Sequence, residues 1–105
     1  MNLVISTSAG PFSVEATEPT PGLHIYEVPA GISPLSSYRW ILAHHDGPAL
    51  ATFETKADAT LAAEKAAPLA DWTRNAITVA NALGTGGMGY LMALLRVSGG
   101  RHPNT

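Results

Sequence analysis

The sequence contains no cysteine. This absence excludes disulfide bonds, thiolate metal sites and a cysteine nucleophile together. It also suits a reducing compartment, and we expect the protein to be cytoplasmic. The first residues, Met1 to Ser6, include no basic residue and no long apolar run, so no secretory signal is predicted.

Charged residues are scarce. They make up 13% of the chain, against about 25% in typical soluble domains, while hydrophobic residues make up 46%. With so few charges to cover it, part of the surface is predicted to be apolar, and an apolar patch usually meets a partner. The composition therefore favours self-association, or association with another protein. The net charge of −2 gives no general attraction to nucleic acid, which is not an expected partner.

The charges are also distributed unevenly. All eight acidic residues lie at or before Asp71 with three basic ones, so this part carries 3 − 8 = −5. After Asp71 the charged residues are Arg74, Arg96 and Arg101, which give +3. Such asymmetry either marks an end of the molecule that faces an anion or is scatter among few residues.

The first half of the chain has the pattern of short strands separated by turn residues. The predicted strands cover residues 3–5, 12–16, 23–28, 38–44 and 49–54. The segment from Glu18 to Gly22 is predicted to break the chain, and Asp46-Gly47 is a favoured hairpin turn. Short strands joined by short turns indicate an antiparallel meander.

The pattern changes to a helical one at Thr55. Thr55 and Asp58 have the spacing of a capping box, in which each side chain can accept a hydrogen bond from the other residue's backbone N–H. An alanine-rich helix follows, and its small residues form one stripe that can lie close to the sheet: Ala59, Ala62, Ala63 and Ala66. Pro68 ends or kinks this helix.

Two further helices are predicted. One begins at Thr73, with Trp72 and Ile77 at the spacing of a hydrophobic staple, and stops at Gly84. The other runs from about Tyr90 to Val97.

The predicted fold class is α+β, an antiparallel meander of about five short strands followed by two to three helices packed on the sheet. One domain covers residues 1–105, with strands mostly in 1–54, helices in 55–98 and a frayed tail over 99–105. Trp40 and Trp72 are predicted to be core residues.

A glycine cluster separates the last two predicted helices. Gly84, Gly86 and Gly89 satisfy the G-x-G-x-x-G pattern of dinucleotide sites, which also requires an acid about 20 residues further on. Only 16 residues follow Gly89 and none is acidic, which argues against a dinucleotide site. Two alternatives stay open: a flexible joint between helices, or a binder of a small anion, nucleotide or nucleic acid. In the second case the binding residues are Gly86, Gly87, Gly89, Arg74 and Arg96.

Residues 75–95 are uncharged, and a stretch of this length could span a membrane. Four polar residues (Asn75, Thr78, Asn81 and Thr85) and four glycines interrupt it, however. A helical hairpin that covers the sheet, or that meets its copy in a dimer, is therefore favoured over a membrane span.

His44-His45-Asp46 resembles a metal or acid–base cluster. Neighbouring side chains in a strand point to opposite faces, so we expect that His44 and His45 do not share one metal ion. No other residue set has the context of a catalytic motif. The sequence therefore predicts no catalytic residue, metal or cofactor, and favours a non-enzymatic interaction or accessory module, with a small enzyme as the remaining alternative.

Three segments resemble a known group of proteins. They are W-I-L-A-H-H-D-G-P-A-L-A-T-F-E-T from Trp40, A-x-A-x-x-A-A-E-K-A-A from Ala57, and L-A-D-W-T from Leu69. Together they resemble small actinobacterial proteins of unknown function encoded on plasmids, phages or integrated elements. The most specific parts are His44 with Gly47, Ala51-x-Phe53 and Asp71-Trp72-Thr73. The resemblance implies a cytoplasmic accessory protein and assigns no active site.

Overall fold

The structure is a computed structural model that describes residues 1–7, 9–32 and 34–102. Five strands form one antiparallel sheet in which the strand order is the order in the sequence. They are β1 (Asn2–Thr7), β2 (Gly10–Thr20), β3 (Leu23–Glu27), β4 (Trp40–His44) and β5 (Ala49–Phe53). Two α-helices follow, α1 (Lys56–Ala66) and α2 (Ala76–Val97). The predicted α+β meander is confirmed.

The second strand is longer than the sequence predicts. The segment from Glu18 to Gly22 breaks the chain only at its end, because β2 continues to Thr20 and the turn lies at Pro21 and Gly22. The register with β3 shifts between Thr17 and Thr20, and Pro19 lies at this irregularity, where the missing N–H of proline is tolerated. The turn to β3 then forms at Gly22, which has a φ of 91°.

The first helix begins as predicted. The Thr55 hydroxyl accepts a hydrogen bond from the Asp58 N–H at 3.1 Å and caps α1. The alanine stripe predicted for this helix is completely buried against the sheet. Helical geometry ends in a 3₁₀ turn over Ala67–Leu69 that contains Pro68.

The second half of the helical region differs from the prediction. Asp71 accepts hydrogen bonds from the N–H and hydroxyl of Thr73, so this segment forms a turn and the helix begins later, capped by Asn75. The prediction of a hydrophobic staple between Trp72 and Ile77 is wrong, because Ile77 is exposed. The predicted stop at Gly84 is present, since Gly84 has a φ of 66° and a ψ of −176°, which are not helical, so α2 consists of two helical segments that meet there at a kink. The second segment begins directly after Gly84 rather than at about Tyr90.

The main core lies between the sheet and the helices. Its largest wholly buried side chains include Leu23, Ile25, Leu42 and Phe53 from the sheet, with Leu91 from α2. Trp72 is 3% exposed, which confirms it as a core residue. Its indole N–H donates to the Ala66 carbonyl at 2.9 Å and satisfies a carbonyl at the end of α1. Trp40 is half-buried and packs against the edge of this core.

A smaller core lies on the opposite face of the sheet. Its buried residues are Val14, Ala16, Tyr26 and Ala43. The first and last strands both contribute to a cavity on this face, through Ile5 and Thr52. The sheet is therefore strongly coiled, as the right-handed twist of strands favours.

The chain after α2 returns to the sheet. Arg101 and Thr52 exchange two backbone hydrogen bonds of 2.8 and 2.9 Å, and Gly100 is buried. The expected fraying is therefore wrong for residues 99–101, while residues 103–105 of the predicted tail lie outside the described residues.

Candidate functional site

The outer surface of α2 carries large apolar side chains that are exposed. After the kink, Leu91 and Leu95 face the core and are buried. Residues four, three and four positions apart lie on one face of a helix. The opposite face therefore carries four exposed residues, which we call the outer stripe: Gly86, Tyr90, Ala93 and Val97.

The outer stripe is unusual for a surface helix because it lacks charge. Within α2 the one charged residue is Arg96, which lies in the last turn, where a cation is favourable for the helix dipole. Tyr90 is 61% exposed and Val97 is 86% exposed. A helix with an exposed face of this kind is normally covered by another element.

The residues predicted to bind an anion do not form a loop. Gly86, Gly87 and Gly89 lie inside α2, and a side chain added at Gly87 would come within 3.1 Å of Leu83 across the kink. Arg74 precedes the first turn of α2, and Arg96 lies in its last turn. The two arginines therefore lie on either side of the kink at Gly84, 96 − 74 = 22 positions apart in the sequence.

The histidine cluster forms, contrary to expectation. The ring centroids of His44 and His45 are 4.2 Å apart, and one ligand atom each from His44, His45 and Asp46 lies within 4.8 Å of the others. Strand alternation does not separate the two rings, because β4 ends at His44 and His45 already belongs to the turn. Two imidazoles and a carboxylate can act as ligands for a divalent transition metal.

The hydrogen bonds of this cluster connect the β4–β5 turn to the start of α2. The imidazole of His45 donates from Nε2 to the Arg74 carbonyl at 2.9 Å. The carboxylate of Asp46 accepts from the Ala76 N–H at 2.8 Å, and His44 Nδ1 accepts from the Asp46 N–H at 3.1 Å. Each of these three side chains therefore has one polar atom engaged in a hydrogen bond that stabilises the fold.

Burial and the neighbouring His45 lower the pKa of His44 below its ordinary value, because both disfavour the charged imidazole. With Nδ1 as an acceptor, the proton of the neutral ring lies on Nε2, which is buried and has no hydrogen-bond partner in the described residues. Nearby carbonyls of Arg74 and Trp72 offset the lowering only in part.

Sequence reasoning missed one group of residues altogether. Arg39, Arg101 and Tyr26 line a cavity on the face of the sheet without helices. They come from three distant parts of the chain, and only the coiling of the sheet and the return of residues 99–101 bring them together. No local pattern in the sequence signals such a convergence.

Comparison of the chain with protein-family models, with curated proteins and with solved structures finds no match. Neither helix in the described part of the chain combines the length and apolar character needed to cross a membrane.

Proposed function

We propose that this protein is a non-enzymatic interaction module that self-associates through the outer stripe of α2. The observation that carries this proposal is an exposed helical face in which Tyr90 and Val97 are large and apolar, on a helix whose one charged residue is Arg96. Removing such a face from water is favourable and roughly proportional to the apolar area covered.

A second copy of the chain fits the outer stripe because large and small residues alternate along it. Two copies of α2 packed antiparallel about a twofold axis between residues 91 and 92 would bring Tyr90 opposite Ala93. The same axis would bring Val97 opposite Gly86. Each large side chain then meets a small residue of the partner, which gives the self-complementary surface that a twofold interface requires.

Two further observations support a cytoplasmic accessory role for this module. The lack of cysteine supports the cytoplasm as the compartment. The resemblance of residues 40–73 to small proteins of mobile elements supports an accessory role.

Light scattering coupled to size-exclusion chromatography tests the proposal at high micromolar protein concentration. We expect a dimer for the natural chain and a monomer for Tyr90→Glu and Val97→Glu, because a charge in the stripe would be buried without a partner. Leu35→Glu is the matched control, since Leu35 is a 99% exposed hydrophobic residue outside α2. This control should remain a dimer.

A swap of residue size tests the antiparallel arrangement itself. Tyr90→Ala should leave a gap opposite Ala93, and Ala93→Tyr should place two tyrosines against each other. The double variant Tyr90→Ala/Ala93→Tyr restores one large residue opposite one small one, so it should dimerise better than either single variant. A monomeric natural chain, or a dimer that persists in both glutamate variants, would contradict the proposal.

A further inference from the structure

A cavity of about 350 Å³ lies on the face of the sheet that carries no helix. Tyr26 of β3 and Ile41 of β4 line it from the centre of the sheet, and Ile5 and Thr52 line it from the first and last strands. The chain between β3 and β4 lines the remaining side, for example through Ile32. This volume lies within the range of small-molecule sites, which is about 300–1,000 Å³.

The lining combines aliphatic side chains with hydroxyl groups. Val28, Ile32 and Ile41 contribute apolar surface, while hydroxyl groups come from Ser6 and Thr52 among others. Sites for small molecules typically have this composition, an apolar lining with a few polar groups that fix orientation. The cavity therefore suits a ligand with an apolar body and a polar end.

Among the described residues, the charged ones that line the cavity are both arginines, Arg39 and Arg101. The Arg39 guanidinium donates to the carbonyls of Ile32 and Pro29 at 2.7 Å each, and to that of Val28 at 3.2 Å. Arg39 thus fixes the chain that borders the cavity and adds positive charge to its lining. The positive charge favours an anion.

Arg101 is held beside the cavity by its backbone, which pairs with Thr52 of β5. Its pairing with Thr52 uses only main-chain atoms, which leaves the side chain available. The guanidinium lies 4.6 Å from the centre of the Tyr38 ring, and in the described residues it forms no ion pair. A guanidinium fork held against an aromatic ring is well suited to a carboxylate.

Tyr26 provides a second polar group. It is 8% exposed, and its hydroxyl has no hydrogen-bond partner in the described residues. Burial raises the pKa of Tyr26, so the hydroxyl keeps its proton and can donate it in a hydrogen bond. The hydroxyl itself is not wholly buried, since the buried side-chain atoms without a partner in the described residues are His44 Nε2 and Ser98 Oγ. It is therefore accessible to an acceptor bound in the cavity.

We propose that this cavity binds a small aliphatic monocarboxylate, with the carboxylate between Arg101 and the Tyr26 hydroxyl and the alkyl chain against Ile5, Ile32 and Ile41. The proposal is independent of the dimer, because the outer stripe lies on α2 and the cavity lies on the opposite face of the sheet.

Isothermal titration calorimetry with hexanoate tests the site, with hexan-1-ol and inorganic phosphate as comparison probes. We expect saturable binding of hexanoate and much weaker binding of the alcohol, which lacks the charge, and of phosphate, which lacks the alkyl chain. Absence of hexanoate binding, or binding of either comparison probe with equal affinity, would overturn the proposal.

Two variants locate the site. Arg101→Gln and Tyr26→Phe should each weaken hexanoate binding, the first by about tenfold or more, because hydrogen bonds to charged groups contribute about 1.5–3 kcal/mol. Lys65→Gln, which removes one exposed positive charge from the last turn of α1, should bind as the natural chain does. Thermal melting of each variant confirms that it is folded. Unchanged affinity in folded Arg101→Gln would refute the assignment.

Discussion

The carboxylate of Asp46, in the turn between β4 and β5, accepts a hydrogen bond from the backbone N–H of Ala76 at 2.8 Å. This N–H belongs to the first turn of α2, which has no partner for it within the helix. A residue distant in sequence thus supplements the Asn75 cap, whose side chain accepts from the Thr78 N–H at 2.8 Å.

We therefore expect Asp46→Ala to lower the free energy of unfolding by about 0.5–2 kcal/mol, the usual cost of losing a helix cap. Asp46→Asn retains an oxygen acceptor and should lose less. Denaturant titrations followed by circular dichroism measure both values. Equal losses in the two variants would show that the charge of Asp46, rather than its hydrogen bond, stabilises the start of α2.

Protonation of His44 should destabilise the fold in mild acid. Burial lowers the pKa of His44 from its ordinary value of 6.5, so the folded protein binds this proton less readily than the unfolded chain does. The contribution of His44 is therefore fully present above about pH 6.5 and decreases as the pH falls through the lower pKa of the folded state. Melting temperatures should consequently drop between about pH 7 and about pH 5.

The variant His44→Asn tests this assignment. Asparagine offers an oxygen near the position of Nδ1, which can accept from the Asp46 N–H, but it does not titrate. We expect a lower stability at neutral pH, because the smaller side chain leaves a cavity, and a flatter dependence on pH. The same slope in the variant and the natural chain would assign the acid sensitivity to other groups.

Gly22 should tolerate no side chain. A Cβ atom built there would lie 2.0 Å from the Trp72 carbonyl oxygen, in addition to the strain of a φ of 91°. Gly10 provides a matched control, since its φ is 102° but no atom lies within 4 Å of the added Cβ. Gly10→Ala should cost about 1–2 kcal/mol of stability. Gly22→Ala should cost about 1–3 kcal/mol more, and comparable melting of the two would disprove the clash.

Trp72 stabilises the fold both by filling the core and by its hydrogen bond to the Ala66 carbonyl, and two variants separate these contributions. Trp72→Phe keeps most of the buried ring but removes the hydrogen bond to the Ala66 carbonyl, and should cost about 1–3 kcal/mol. Trp72→Ala also leaves a cavity and should cost about 3–5 kcal/mol. Urea titrations measure both losses. A Phe variant as stable as the natural chain would mean that water satisfies the carbonyl.

Much of the fold is readable from the sequence because its signals are local. Strand alternation, the Asp46-Gly47 turn and the Thr55 cap depend on residues within a few positions of one another. The sequence predicts the start of α2 too early, because Thr73 and Asn75 are both good capping residues and only the hydrogen bonds of Asp71 decide between them.

The candidate surfaces were less predictable because they depend on distant contacts. Low charge indicated an apolar surface, but the outer stripe could be located only once α2 was known to continue past Gly84. The sequence predicts a frayed tail at Arg101, whereas the pairing of Arg101 with Thr52 brings it to the cavity. Pairing between residues so far apart leaves no periodic trace in the sequence.

The order of the strands has a consequence for the rate of folding. Each strand pairs with its neighbour in sequence, so most hairpins close short loops at a small entropic cost. The exception is the pairing of β3 with β4, which closes the connection over residues 28–39. Arg39 bonds to carbonyls within this connection and shortens its free length. The pairing of β3 with β4 therefore closes a longer loop than the other hairpins do, and the hydrogen bonds of Arg39 lower the entropic cost of that closure.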